Sequence, residues 1–392
     1  MQGIYKTDLL LAQVLALAGD CGCGRLPATN LNLAVDTKLG DFQVLELRER
    51  EQWAGKMDRL RNPVPDIHYR PEYCALFRDA GEPMLFEYRE GRHAIYYPYL
   101  LRPINLLPGL GASPDQGLYD ITSPYGYGGP LPDGAPGDSV WRNFYRCFAE
   151  YCREQNVITE FIRFHPLLGN HRPLSGVVPV ERVSSVVVLD LNRSGEEIWA
   201  EYGRNNRKNI NKALREGVRV LIEETPEHFT DFMHVYRHTL ERNRAGAFYY
   251  FNQDFFQSIH CEMQGRYIYA HAYKGDDIIS SELLLFNGTY LHSYLGGTLE
   301  QYFSLRPNNL LKHEAALWAQ SRGINYFLLG GGHSDNDGIF RYKRSFAPGG
   351  VLDFYVGKQV HNKVLAEELA RLVNANSQGE TKGYFPAYRR CQ

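Results

Sequence analysis

The residues of this chain best suited to catalysis lie in the segment LLGGGHSDNDGIFRYKRSF, residues 328–346. A buried strand is predicted to run into three glycines, followed by a polar loop with His333, Asp335 and Asp337 and then by the basic stretch 340–344. Glycines let a ligand lie against the backbone, and the cations suit a phosphate or a developing oxyanion. The alternative is a glycine-rich loop whose charged side chains are solvated.

A second candidate site is the basic segment GRNNRKNINKALREGVRV. At helical spacing Arg204, Lys208, Lys212 and Arg215 form one stripe along a predicted helix. Such a stripe fits the backbone of an RNA or a pyrophosphate, and together with Arg207 it gives the residues that we expect to bind the donor. A plain solvated helix face explains the same pattern.

Two further segments could bind a substrate. In HTLERNRAGAFYYF, Arg242 and Arg244 end a predicted helix beside three aromatics, where arginine either binds a diphosphate bidentately or caps the helix dipole. In YDITSPYGYGGPL, Tyr125 and Tyr127 lie between a proline and a Gly-Gly-Pro turn, an arrangement that holds a binding surface in one conformation. The alternative is a strand-ending turn whose tyrosines cap the core.

Several classes of function fit poorly. The 13 histidines show no HExxH or paired metal spacing, and the chain has neither a GxSxG nor a GxxxxGK[ST] motif, so no metal site, serine hydrolase or nucleotide hydrolase is predicted. Lys and Arg number 43 against 45 Asp and Glu, so any nucleic acid must be met by a local basic patch.

The remaining composition favours a cytoplasmic protein. Of seven cysteines only Cys21 and Cys23 lie close together, which favours reduced thiols. No apolar run approaches the roughly 18 residues that cross a membrane. The segment 9–18 has Asp8 beside it and Gln13 inside it, and is predicted to be an amphipathic helix.

The length of 392 residues suggests two domains. Both halves alternate strands and helices in the same order, which indicates a duplicated α/β domain joined near residues 180–185. We predict an N-terminal domain over 1–182, a C-terminal domain over 183–373 and a flexible tail over 374–392. The basic segment is predicted to be one helix over 198–216.

In this order the motifs resemble those of the Fem-type aminoacyltransferases, from about Asp66 to Lys358. The resemblance rests on PEY, YDITSPYGYGGP, RNNRKNINKALREGV, TLERN, PNNLLKHEAALWA, and LGGG followed by GIFRYKRSF. It implies an α/β (α+β) fold of two tandem GNAT-like domains, each a mixed, largely antiparallel sheet flanked by helices.

The resemblance also implies an activity, the transfer of an acyl or aminoacyl group to an amine of an envelope precursor, amino sugar or small metabolite. In the peptidoglycan members the donor is aminoacyl-tRNA, and no tightly bound cofactor is implied. Tyr342 and Lys343 look like the aromatic–lysine pair that assists the tetrahedral intermediate, and Arg242 looks like the arginine that contacts acceptor phosphate. Tyr125 and Tyr294 would line the acceptor cleft.

Several choices stay open. Asp335, Asp337 or the acceptor's own phosphate could take the proton from the amine. The chain has no long charged heptad insertion, and SLRPNN stands where acetyl-CoA enzymes carry Q/RxxGxG/A, so both aminoacyl-tRNA and acyl-CoA or a carrier-bound acyl group remain possible donors. A non-catalytic module that binds a sugar nucleotide is the alternative from another class.

Overall fold

The computed structural model describes residues 40–104, 117–332, 334–335, 337–375 and 384–389. The chain divides into two compact units, one up to Val183 together with Tyr355 onward, the other Ser184–Phe354. The first boundary lies within the predicted join. The second differs from the prediction, because residues from Tyr355 onward pack with the first unit rather than completing the second. The helix predicted over 9–18 lies outside the described residues.

The described strands are numbered in chain order. They are β1 (Asp41–Glu46), β2 (Glu82–Glu90), β3 (His93–Pro103), β4 (Tyr119–Thr122), β5 (Leu131–Pro132), β6 (Val157–Arg163), β7 (Val180–Asp190), β8 (Val218–Glu223), β9 (Tyr267–Lys274), β10 (Asp277–Phe286), β11 (Tyr290–Thr298), β12 (Tyr326–Gly330) and β13 (Val351–Val360).

The described α-helices are numbered in the same way. They are α1 (Arg50–Arg59), α2 (Pro71–Ala75), α3 (Asp138–Glu154), α4 (Gly195–Glu201), α5 (Arg204–Arg215), α6 (Phe229–Arg242), α7 (Gln253–Glu262), α8 (Pro307–Ser321), α9 (Gly338–Arg344) and α10 (Lys363–Ala375).

The two units have the same strand order. The first runs β1-β2-β3-β4-β6-β13, with β5 paired to β3, and the second runs β8-β9-β10-β11-β12-β7. In both units the first four strands are antiparallel neighbours, the next pair (β4 with β6, β11 with β12) is parallel, and the last pair is antiparallel. A parallel pair needs a long crossover, which α3 and α8 supply. The predicted duplication and the mixed, largely antiparallel sheets are confirmed.

The core of the first unit is built from aromatic side chains. Helix α3 buries Phe144, Phe148 and Tyr151 on one face, at the i, i+4, i+7 spacing of an amphipathic helix. Two of the buried tyrosines, Tyr97 and Tyr145, donate hydrogen bonds of 2.7 and 2.8 Å to the buried carboxylate of Glu160. These bonds offset the cost of burying the two tyrosine hydroxyls in the core.

The basic segment forms two helices where one was predicted. Helix α4 ends before Tyr202, whose backbone is extended and whose ring is buried in the core of the second unit, and α5 begins after Gly203. The guanidinium of Arg207 then donates to backbone carbonyls at the end of α4, including that of Ala200 at 3.0 Å. Burying the Tyr202 ring therefore interrupts the helical backbone.

The prediction of a flexible tail is wrong for residues 384–389, while 376–383 and 390–392 lie outside the described residues. Tyr388 is 2 % exposed and packs with Leu365 and Leu369 of α10. Arg389 donates to the buried carboxylate of Asp120, which also pairs with Arg102 at 2.6 Å. An aromatic and a cation thus fix this segment to the first unit.

Among the described residues, no helix has both the length and the apolar character to cross a bilayer.

Replacing Arg389 with Met should lower the free energy of unfolding by about 3 kcal/mol, near the lower end of the cost of breaking a buried ion pair, because Arg102 still holds Asp120. Urea denaturation followed by circular dichroism measures the change. Tyr384→Ala is the control, since Tyr384 lies in the same segment but is 52 % exposed. Equal, small losses in both variants would show that the segment is not docked.

Candidate active site

The candidate active site is a cleft of about 670 Å³ within the second unit. Its walls come from the end of α6, from β10 and β11, from the first half of α8 and from both ends of α9. Its lining residues are Thr239, Arg242, Glu282, Ser293, Tyr294, Leu295, Gly296, Gly297, Thr298, Phe303, Asn308, Lys312, Gly338, Ile339, Tyr342 and Lys343.

A glycine in β11 sets how closely α6 approaches the sheet. A Cβ atom on Gly297 would lie 2.0 Å from the side-chain oxygen of Thr239, so no larger residue fits without moving the helix. This contact brings the last turn of α6, with Arg242, to the edge of the cleft. There Arg242 donates to the carbonyl of Thr298 at 2.9 Å, and its guanidinium lies 4.7 Å from the ring centre of Phe303.

A buried ion pair forms the floor of the cleft. The ammonium of Lys312, on α8, donates to both carboxylate oxygens of Glu282, on β10, at 2.7 Å each, and to Ser293 Oγ at 2.9 Å. Ser293 in turn donates to Glu282. Both charged residues are about 5 % exposed or less, so each depends on the other to offset the cost of leaving water.

Lys343 supplies a second ammonium group in the same cleft. It projects from the short helix α9, and its Nζ donates to the carbonyl of Gly331 at 2.7 Å. Burial, followed by the nearby charge of Lys312, lowers the pKa of Lys343 to about 8, while Glu282 and Asp337 pull in the opposite direction. Lys343 is therefore a cation whose charge can change close to neutral pH.

The glycine triplet makes room for the protein's own groups. Gly330 has φ of +77°, and a Cβ there would lie 3.3 Å from Lys343 Nζ. A Cβ on Gly331 would lie 2.9 Å from the carbonyl oxygen of Ser185, and one on Gly332 would lie 2.3 Å from the Asp337 carboxylate. The sequence suggested space for a ligand, whereas the space beside these glycines holds Lys343, Asp337 and backbone.

Tyr342 lies beside Lys343 on α9 and is half-buried. Its hydroxyl donates to the carbonyl of Asn308 at 3.1 Å, and its ring meets Phe346 edge to face at 5.4 Å. Burial raises the pKa of the Tyr342 phenol, so the group stays a neutral donor. Together with Arg242 and Tyr294, these two residues are the predicted site residues that the structure brings together in the cleft.

Asp335 and Asp337 have structural contacts instead. Asp335 accepts the backbone N–H of Ser185 at 2.6 Å, and Asp337 caps α9 by accepting the N–H of Phe340 at 2.6 Å. Neither belongs to the described residues that line the cleft. These bonds hold the loop and start the helix that presents Lys343. His333 lies outside the described residues.

Tyr125 and Tyr127 belong to the first unit. The carbonyl of Tyr125 accepts a hydrogen bond of 2.7 Å from the Tyr73 hydroxyl, and the ring of Tyr127 packs edge to face on His68 and His165. Their role in binding an acceptor stays a prediction.

The basic stripe on α5 lies partly at the surface, and its role in binding the donor stays a prediction. Arg204 and Lys208 are exposed and Lys212 is half-exposed, whereas the bonds from Arg207 to the end of α4 give that side chain a structural contact. Behind the stripe, the buried Asn206 accepts a 2.8 Å hydrogen bond from Asn309 of α8, so the two NN pairs of the sequence meet.

Sequence reasoning missed Glu282 and Lys312. The sequence feature that could have identified them is a charged residue among apolar neighbours. Glu282 precedes LLLF in a strand, and Lys312 follows NLL in a helix. Such residues are rarely buried unless they are paired. Their partnership could not be read from one sequence, because 30 positions separate them.

Chemically, the cleft combines a neutralised ion pair with two cations, Lys343 and Arg242, that form no ion pair with any of the described residues. Since Glu282 offsets Lys312, the net charge of the lining groups is positive. In a partly buried cleft such charge stabilises an anion more strongly than it would in water.

Comparisons with known proteins find one matching family model and several similar folds. Residues 201–344 match the family model described as "Acetyltransferase (GNAT) domain". The crystal structure of FemX superimposes with a TM-score of 0.61 at 12 % identity, covering 83 % of this chain and 99 % of that chain. A conserved protein of unknown function from Bacteroides thetaiotaomicron VPI-5482 gives a TM-score of 0.53 at 11 % identity, covering 82 % and 99 %. No curated protein matches the sequence.

Replacing Lys312 with Met should lower the free energy of unfolding by about 3 to 5 kcal/mol, because Glu282 is left buried and unpaired. In the double variant Lys312→Met/Glu282→Gln no buried charge remains without its partner, so the loss should be smaller. Urea denaturation of the wild type, both single variants and the double variant gives the coupling energy. Additive losses would mean that the two side chains do not stabilise each other.

Proposed function

We propose that this chain is an amide-forming acyltransferase that joins an aminoacyl group from aminoacyl-tRNA to an amine of a cell-envelope precursor. The match of residues 201–344 to the GNAT acetyltransferase domain model and the fold similarity to FemX support this proposal. The observation that carries the proposal is Lys343, a cation with a pKa of about 8 in a cleft whose other lysine is already neutralised by Glu282. A positive charge placed where an oxyanion develops stabilises the tetrahedral intermediate of acyl transfer.

The proposed reaction is direct aminolysis. The acceptor amine attacks the carbonyl carbon of the ester and forms a tetrahedral intermediate with a negatively charged oxygen. Collapse forms the C–N bond and breaks the C–O bond to the donor, and the proton that the amine loses ends on the departing hydroxyl. Lys343 stabilises the oxyanion, and the cleft holds the two reactants together.

Arg242 is the proposed contact for the acceptor. One of its donors is used by the Thr298 carbonyl, and the guanidinium lies over the ring of Phe303, so its orientation is fixed where the residue lines the cleft. A guanidinium held this way binds phosphate bidentately. Tyr294 lines the same cleft and offers an aromatic surface next to it.

Asp335 and Asp337 are less suited to take the proton, because backbone N–H groups occupy their carboxylates. The acceptor's own phosphate is the preferred base. It would enter the cleft with the amine and needs no further side chain.

The exposed part of the basic stripe, Arg204, Lys208 and Lys212, is the proposed contact for the donor. Contacts of this kind to an RNA backbone weaken as salt rises, because binding releases condensed counterions. An acyl-CoA donor is the second candidate, favoured by the acetyltransferase description of the matched family.

Replacing Lys343 with Met should lower kcat by about a hundredfold or more, on the scale of losing one oxyanion donor, and leave the fold intact. Single-turnover transfer measures the step directly. Arg344→Met is the matched control, since Arg344 is the next residue on α9 but is exposed. Turnover like that of the wild type would remove Lys343 from the mechanism.

The charged form of Lys343 is the active one in this mechanism, so activity should fall as pH rises through about 8. Ionisation of the acceptor amine would mask this fall. Dividing the wild-type rate by the Lys343→Arg rate removes the effect of acceptor ionisation, because both enzymes use the same acceptor. The guanidinium of the variant stays charged, so the ratio reports the ionisation of Lys343. We expect this ratio to decline above pH 8; a ratio that rises instead would assign Lys343 the role of base.

The donor is tested by incubating the protein with radiolabelled aminoacyl-tRNA or acetyl-CoA and an extract of envelope precursors, with ribonuclease as control. Label that enters product from tRNA alone, and is lost after ribonuclease treatment, supports the proposal.

Charge reversal in Arg204→Glu/Lys208→Glu should then raise the KM for tRNA, and Arg153→Glu, on an exposed residue of α3, should not. Transfer only from acetyl-CoA would establish the second candidate.

A further inference from the structure

A second cluster of chemically active side chains lies in the second unit, outside the residues that line the cleft. Glu223, His228 and His271 each offer one ligand atom, and these atoms lie within 4.8 Å of one another. The sequence predicts no metal site here, because the three residues follow no spacing motif. The sheet and one helix start bring them together.

The strand register places two of the three on one face of the sheet. Leu221 pairs with His271 across β8 and β9, so Glu223, two residues along, is the diagonal neighbour of His271. Glu223 Oε1 lies 3.3 Å from His271 Nε2. The third residue, His228, immediately precedes α6 and places its Nδ1 2.7 Å from Glu223 Oε2.

His271 has the arrangement of a metal-ligating histidine. Its Nδ1 lies 2.9 Å from Ser281 Oγ, its direct cross-strand partner, which fixes the orientation of the ring. Its Nε2 is buried and makes no hydrogen bond among the described residues, although a carboxylate oxygen is close. In metal sites a histidine typically binds the ion through one ring nitrogen, while a hydrogen bond to the other ring nitrogen fixes the orientation of the ring.

His228 connects the cluster to solvent. Its side chain is 37 % exposed, and it lines a pocket of about 380 Å³ whose wall carries Asp231, Asp276 and Asp277. Three carboxylates at the entrance attract a cation, and the open side leaves room for water as a further ligand.

We propose that Glu223, His228 and His271 bind one divalent transition-metal ion such as Zn²⁺ or Co²⁺. Two imidazoles and one carboxylate suit these ions, whereas Mg²⁺ prefers oxygen ligands and does not compete. The ion would join β8 and β9 to the start of α6, the helix whose last turn carries Arg242. The proposed role of the ion is structural. The metal-site proposal does not depend on the proposed acyl transfer.

The test uses the full, untagged chain after treatment with chelator. Titration with Co²⁺ should show one site per chain with the d–d absorption of four- or five-coordinate cobalt, and excess Zn²⁺, but not Mg²⁺, should remove the absorption. Thermal unfolding should shift to higher temperature with Zn²⁺. Absence of a bound-cobalt spectrum in the wild type would overturn the proposal without any variant.

The matched variants are His228→Gln and His234→Gln, since both histidines line the same pocket and only His228 belongs to the cluster. We expect His228→Gln to weaken Co²⁺ binding at least tenfold and His234→Gln to leave it unchanged, with circular dichroism confirming that both variants fold. If His228→Gln binds Co²⁺ as tightly as the wild type, the ion lies elsewhere in the chain and the assignment fails.

Discussion

The active-site architecture depends on the buried ion pair between Lys312 and Glu282. One helix and one strand of the second unit each place a charge where water is largely excluded, and the pair is tolerated because three hydrogen bonds satisfy the ammonium group. Its electrostatic consequence is local. With Lys312 paired, Lys343 is a lysine that forms no ion pair with the residues the structure describes. Burial, and after it the proximity of the two ammonium groups, lowers the pKa of Lys343.

The fold serves this arrangement by bringing backbone segments close together. Gly297 lets α6 lie directly on β11, and the triplet 330–332 accommodates Lys343 and the carboxylate that starts α9. In both places a glycine leaves room for a neighbouring group, and this role can be recognised only when the positions of the neighbouring atoms are known. Asp337 has two effects, because the side chain that caps the short helix α9 also orients the proposed catalytic residue on that helix, Lys343.

Much of the fold could be predicted from local pattern. The duplication, the β2–β3 and β9–β10 hairpins and the amphipathic α3 all follow from periodicity and turn residues. Predictions failed where distant contacts override local preference: burial of Tyr202 divides one predicted helix, and docking of Tyr388 and Arg389 orders a polar tail. In the site, Lys343, Tyr342 and Arg242 could be identified by motif, and Tyr294 only from what the family resemblance implies. The Glu282–Lys312 pair required the three-dimensional register of β10 and α8.

The central claim is that Lys343 is a cation held in a cleft at a pKa near 8. The most direct measurement is an NMR titration of lysine side chains labelled with ¹³C at Cε, with the Lys343 resonance assigned by its loss in Lys343→Arg. We expect a midpoint at about pH 8 for this resonance, against an ordinary lysine value near 10.4. A midpoint above pH 10 would show that the side chain is solvated, and would contradict its role beside the ion pair.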